Sequence, residues 1–173
     1  HFTRVVREDP KRKGLLYAGT ETGMYISFND GAKWEKFQMN LPIVPITDLT
    51  IKDNNLIVAT QGRSLWIIDD LTVLHQLDDA KKSANAILYK PRESYRTKGN
   101  VARRPSKTEG TNLANGVITH FYLKDFAEKD SVALTYTSMS GDTLATYSTY
   151  SKEKDKKLEV KKGGNTHVWD TRG

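Results

Sequence analysis

A doubled strand–turn–strand unit constrains this chain more than any other feature. LLYAGTETGMYIS (Leu15 to Ser27) and NLIVATQGRSLWIID (Asn55 to Asp69) share one pattern. In each, an apolar run is followed by a small residue and Thr, then a Gly-containing turn and an apolar-aromatic run. Thr20 and Thr60 are 40 residues apart, and the runs before them, ending REDP and IKDN, set Asp9 and Asp53 at 44. FTRVVRE, KWEKF and ITDLTIK add further runs of strand length. Between them, DPKRKG, NDG and DNN are turn chemistry, with Gly or Asn available for positive φ.

Short strands of this kind predict an all-β chain. A period of about 40 to 45 residues with three or four strands per unit is the spacing of propeller blades. Residues 1–77 are therefore expected to form a partial β-propeller of about two blades. After Asp69 the texture changes. DDLTVLHQL offers an Asp N-cap followed by Leu71, Leu74 and Leu77, a short helix with one apolar side. DDAKKSANA is small and polar, which places a linker at residues 78–85. ILYKPRESYR reads as a strand interrupted at Pro91, and Lys98 to Gly116 as a long loop. GVITHFYL, SVALTYTS and TLATYSTY are strand candidates, the last two joined as a hairpin by Ser140-Gly141-Asp142. KLEVKKGGNTHVWD predicts two more strands around Gly163-Gly164-Asn165. Six or so alternating strands over residues 86–173 predict a β-sandwich.

Composition excludes several functions. The chain has no cysteine, which removes disulfides, thiol nucleophiles and Cys-based metal sites. No apolar run approaches the roughly 18 to 20 residues of a membrane span. The chain begins at His1 without a start Met, and we expect an excised piece of a longer parent. The net charge of +6 raises the question of nucleic acid. Lys90, Arg92, Arg96, Lys98, Arg103, Arg104 and Lys107 form a basic stretch opposed by Glu93 alone. Only Tyr89 and Tyr95 accompany it, at its start, and no nucleic-acid motif does. It reads as a solvated loop or a patch facing an acidic part of the parent. SKEKDKKLEVKK reads as solvent-facing surface that discourages strand edges from pairing.

SFNDGAKW, Ser27 to Trp34, lies between two apolar runs and so on a hairpin. Ser27 and Asn29 suit hydrogen bonding across a tight turn. Gly31 supplies a conformation that a Cβ would penalise, and Trp34 can fold back as a cover. The run resembles the Asp-box of BNR-type β-propellers, S-x-D-x-G-x-x-W, with Asn29 in the usual Asp position. Such motifs occur in sialidases, xyloglucanases and sortilin-like receptors. The resemblance implies a fold motif on the outer edge of a blade, remote from any catalytic pocket. More broadly, Val5 to Asp70 is similar to the final blades of secreted bacterial BNR-repeat, glycosyl-hydrolase-like proteins. There T-x-G-R-x-x-W-x-x-D-D, here Thr60 to Asp70, ends the propeller. A short helix and an immunoglobulin- or fibronectin-like sandwich follow. The resemblance implies a parent that is secreted or periplasmic.

Glu21, Asp48, Asp69 and Asp70 are the acids available for glycoside hydrolysis, which needs two across a cleft. Propeller glycosidases collect theirs from several blades, and Asp69-Asp70 is also a strand end and helix cap. Gln61-Gly62-Arg63 is the loop most suited to a ligand: Arg63 can meet a carboxylate or sugar acid as a bidentate donor. The plainer reading has Arg63 bonding neighbouring carbonyls or acids between blades. Related sequences often carry His at Gln61. No pair among His1, His75, His120 and His167 has metal-ligand spacing, and a β-turn explains Asp53-Asn54-Asn55 without calcium. The expectation is a non-catalytic C-terminal piece with no catalytic residue, cofactor or metal of its own. Its parent binds or acts on polysaccharide, or is a propeller scaffold for protein assembly. Its partners are the parent's remaining blades, and it self-associates through exposed blade edges.

Overall fold

The computed structural model describes residues 2–77, 84–95, 113–127 and 129–171. The chain is all-β, with several antiparallel sheets and a lone short α-helix among the described residues, as the sequence predicts. It divides into two compact units, His1–His75 and Gln76–Gly173. The expected linker began slightly later, and residues 78–83 of it lie outside the described residues.

In the first unit, β1 (Thr3–Glu8), β2 (Leu16–Thr20), β3 (Gly23–Ser27) and β4 (Glu35–Lys36) form one up-and-down sheet in chain order. A second sheet follows with β5 (Ile46–Lys52), β6 (Asn55–Thr60) and β7 (Leu65–Ile68). Their pairing shows that the sequence repeat is a structural one. Glu8 faces Leu16 in the first sheet as Ile51 faces Leu56 in the second. The opening strand of each is bulged at the same place, between Thr3 and Val5 and between Ile46 and Asp48. The Glu21 N–H donates to the Phe2 carbonyl at 3.3 Å, and the Gln61 N–H to the Pro45 carbonyl at 2.9 Å. The register sets Asp9 against Lys52, one residue off the Asp9–Asp53 match of the letters. The shift arises because the β1–β2 connection is long. The β5–β6 turn is two residues, Asp53 and Asn54 at φ 50° and 69°, the type I′ geometry that suits a hairpin.

The core of this unit lies between the two sheets. Leu15, Tyr17, Met24, Ile46, Leu49, Leu56 and Val58 are buried there. Close approach needs Gly19, where a Cβ would sit 2.5 Å from Ile46 Cγ2. Helix α1 (Thr72–Gln76) follows β7. Its start is held by Asp70, whose carboxylate accepts from the Thr72 N–H at 3.1 Å, and Leu71 is buried just ahead of it. No helix among the described residues is long and apolar enough to cross a membrane.

The second unit contains β8 (Ala86–Leu88), β9 (Val117–Leu123), β10 (Ala133–Thr137), β11 (Thr143–Ser148) and β12 (Gly163–Trp169). One sheet has the order β12-β9-β8, and β10-β11 form the other. Phe121, Leu123, Leu134 and Leu158 fill the space between them. Tyr136 lies 4.6 Å from Trp169 between ring centroids, and Tyr147 lies 4.2 Å from His167. The predicted hairpin turn is present, with Gly141 at φ 92°. The two strands expected around Gly163-Gly164-Asn165 reduce to one, because these residues lie inside β12. Asn165 accepts from the Lys161 N–H and donates to the Lys161 carbonyl, each at 2.8 Å. A side chain thus satisfies both backbone groups of Lys161, while Lys157 forms an isolated bridge to Ser148.

Candidate functional site

The Ser27–Trp34 loop follows β3 and turns back to β4. The buried Ser27 hydroxyl donates to Asn29 Oδ1 at 3.0 Å and accepts the Gly31 N–H at 3.0 Å. Asn29 Oδ1 also accepts the Lys33 N–H at 2.8 Å. Asp30 and Gly31 sit at φ 58° and 83°, so the turn needs a residue that tolerates the left-handed region. The Asp30 N–H donates to the Gly14 carbonyl at 2.9 Å, tying this loop to the β1–β2 connection. Trp34 lies over Gly31, whose Cβ position would be 3.7 Å from the indole Nε1. The Ser27 hydroxyl and Asn29 Oδ1 are spent inside the loop, and their chemistry is that of a self-closing turn.

The two Thr residues of the repeat do the same work. Thr20 Oγ1 donates to the Gly23 carbonyl at 2.9 Å, and Thr60 Oγ1 to the Ser64 carbonyl at 2.6 Å. Each hydroxyl closes the turn that follows its strand. In the second copy that turn is Gln61-Gly62-Arg63, and all three residues are exposed. The Arg63 carbonyl accepts the Trp66 indole N–H at 2.8 Å. Its guanidinium has no hydrogen bond or ion pair among the described residues.

The candidate acids occupy separate elements. Glu21, in the β2–β3 turn, pairs with Arg4 at 3.3 Å. Asp48, on β5, accepts from Arg7 at 2.8 Å and from the Leu49 N–H at 2.8 Å. Asp70 is bound by Asn54 at 2.9 Å and by the Thr72 hydroxyl, while Asp69 faces solvent. Asn55 Oδ1 accepts the Asp70 N–H at 3.0 Å. The Asp53-Asn54-Asn55 run therefore serves a hairpin and a helix start. No three His, Asp or Glu side chains gather as a metal site among the described residues.

A cluster that sequence spacing does not reveal joins residues far apart in the chain. Asp9 is buried at the β1–β2 connection. Its Oδ1 accepts the Lys11 and Arg12 N–H groups at 2.8 and 3.1 Å. Its Oδ2 accepts the Tyr17 hydroxyl at 3.1 Å and meets His75 Nε2 at 2.9 Å. Burial by itself would raise this carboxyl. The hydrogen bond and charge of His75, with the two backbone N–H groups, outweigh it and hold Asp9 below the ordinary 3.8. Burial and the adjacent Asp9 charge push the Tyr17 hydroxyl upward. Arg12 completes the cluster, lying 5.1 Å over the Phe28 ring and donating to the Leu74 carbonyl. Two donors on each Asp9 oxygen satisfy a buried carboxylate, and the arrangement fastens helix α1 to the first sheet. The only advance signal was the turn position of Asp9; nothing pointed to His75.

In the second unit, the ring of His120 contacts Thr166 Oγ1 at 3.0 Å, and that of His167 contacts the Tyr136 hydroxyl at 3.0 Å. Burial lowers the His167 pKa. Of the basic stretch, Lys90 and Arg92 are described, and the Lys90 backbone is held by Gln76 at 2.8 and 2.9 Å. Arg96, Lys98, Arg103, Arg104 and Lys107 lie outside the described residues. No family model, curated protein or solved structure matches this chain.

Proposed function

We propose that this chain is a non-catalytic assembly module: two blade-like sheets and a sandwich belonging to a secreted BNR-repeat, glycosyl-hydrolase-like propeller protein. One observation carries the reading. The first sheet presents Met24 and Ile26 to the second and buries them to 1 and 3% exposure. By the pairing register their counterparts are Leu65 and Ile67, on the far side of the second sheet, which are 66 and 57% exposed. The second copy thus carries the same docking face as the first, without the cover. At the other end of the stack Val6, whose counterpart Leu49 is buried, is 45% exposed. A stack with one uncovered face of each kind adds further sheets head to tail, as blades of a ring do. The self-contained Ser27–Trp34 turn and the structural bonds of Glu21, Asp48 and Asp70 fit a scaffold.

The test is a panel of aryl glycosides given to the purified chain. No turnover above buffer is expected, and hydrolysis at an enzyme-like rate contradicts the reading. The Arg63 guanidinium, without a hydrogen bond or ion pair among the described residues, lies beside exposed Gln61 and favours a second reading, in which this turn contributes to binding an acidic polysaccharide. A glycan array should then show acidic glycans retained by the chain and lost with Arg63→Ala. Equal retention by both proteins ends that reading.

A further inference from the structure

Two pairs in this chain set an Asp or Asn directly before glycine: Asp30-Gly31 and Asn115-Gly116. In such a pair the glycine nitrogen, unhindered by a Cβ, can close on the side-chain carbonyl carbon of the residue before it as a five-membered succinimide. The structure treats the two pairs differently. The Gly31 N–H is donated to Ser27 Oγ at 3.0 Å, and the Asp30 N–H to the Gly14 carbonyl at 2.9 Å. Asn115 is exposed in a bend just ahead of β9, and neither its side chain nor the Gly116 N–H makes a hydrogen bond among the described residues. The side-chain amides of Asn29, Asn54 and Asn165, by contrast, are each held by a partner. Chemistry separates the pairs further: an amide expels ammonia, whereas the ionised carboxylate of Asp30 is a poor electrophile.

Packing keeps glycine at position 116. Its φ is 119°, and a Cβ there would overlap the Trp169 carbonyl oxygen and lie 2.9 Å from Asp170 Cα. Val117, the next residue, opens β9 and pairs with Trp169, the last residue of β12. The reactive pair is thus built onto the closing rung of the sheet.

We propose that Asn115 is a site of spontaneous deamidation, and that the modification loosens the Val117–Trp169 end of the β9–β12 pairing. The Gly116 nitrogen bonds to Asn115 Cγ and gives up its proton to solvent, the Cγ–Nδ2 bond breaks, and ammonia leaves. Water then opens the succinimide at either carbonyl carbon, so one water is consumed and nothing is oxidised or reduced. Opening at Cγ leaves aspartate. Opening at the main-chain carbonyl leaves isoaspartate, whose backbone runs through Cβ and Cγ and is one atom longer. Either product places a new carboxylate next to the segment that carries Asp170. Isoaspartate also inserts its extra atom directly before Gly116, which has no room to move toward Trp169 and Asp170.

The experiment holds the 173-residue chain at about pH 8 and about 37 °C for about two weeks, then maps its peptides by mass against a fresh sample. The peptide with Asn115 should gain about 1 Da at least about tenfold faster than those with Asn29, Asn54 and Asn165. In the deamidated chain, amide exchange at Val117 and Trp169 should be at least about tenfold faster than in fresh protein. Asn115→Gln changes an exposed side chain, and after the same incubation it should keep the mass and exchange rates of its own fresh sample. Deamidation of Asn115 no faster than that of Asn165 would overturn the proposal. So would modification that leaves exchange at Val117 and Trp169 unchanged, or equal loosening in Asn115→Gln.

Discussion

The two sheets of the first unit share their bulge, their turn-closing threonine and their strand register, yet one buries a face that the other leaves in water. The shared features are local: each is a hydrogen bond or pairing made within one copy, and each is retained whether or not a neighbour is present. Burial is different. Met24 and Leu65 are both large apolar residues at corresponding positions, and only the presence of a following sheet separates them. A repeat of this kind specifies its own turns and leaves its faces to its neighbours.

The comparison is broken most sharply by placing one charge at corresponding positions. Ile26→Lys buries an unpaired ammonium and should cost about 4–5 kcal/mol or abolish folding of the first unit. Ile67→Lys should stay within about 0.5 kcal/mol. Urea unfolding measures both, and equal losses would mean that the second face is covered after all. Asp9→Ala comes next. It strands the Tyr17 hydroxyl, His75 and two backbone N–H groups around a buried site, and about 3 kcal/mol should be lost at neutral pH. The second sheet has a two-residue turn in place of the Asp9 connection, so Asp53→Ala should cost far less in the same assay. Gly19→Ala, which forces a Cβ against Ile46, should cost about 1–3 kcal/mol. Its counterpart Ala59 already carries that Cβ on an uncovered face, and Ala59→Gly should change the unfolding free energy by less than about 1 kcal/mol.

Acid should separate the two units by a smaller margin. The His167 pKa is held below the ordinary 6.5 by burial, so the unfolded chain takes up a proton that the folded chain does not. Its contribution to stability is full above 6.5 and is lost as pH falls through that value toward the lower folded one. The Asp9 carboxyl is held below 3.8, so its contribution is lost only as pH falls below that. Fluorescence of Trp169 should therefore report a loss of denaturant resistance in the second unit at higher pH than Trp34 and Trp66 report in the first. His167→Phe should remove the early step.

Much of this fold was legible because strand periodicity and turn residues act locally. The repeat of Thr20 and Thr60, the Asp70 helix start and the Ser140-Gly141-Asp142 hairpin all depend on residues within a few positions of each other. What stayed hidden depends on contacts made through space. Asp9 meets His75 across 66 residues, and no spacing rule connects them. The KLEVKK segment has strand-forming residues, but the Asn165 side chain takes the N–H and carbonyl of its Lys161. The candidate site was legible as a loop: Ser27 and Asn29 were expected to bond across the turn, and Ser27 accepts the Gly31 N–H while Asn29 accepts the Lys33 N–H. Arg63 was legible as a residue of the turn between two strands, but whether its guanidinium has a partner depends on side chains that the sequence does not bring near it.

The central claim is that the Leu65–Ile67 face is the seat of another sheet of the same kind. Sedimentation velocity from about 1 μM to 1 mM tests it most directly. The unmodified chain should associate head to tail as concentration rises, and Leu65→Lys with Ile67→Lys should remain monomeric while unfolding at the same urea midpoint. A chain that stays monomeric throughout, or a double variant that associates as readily as its parent, would contradict the account.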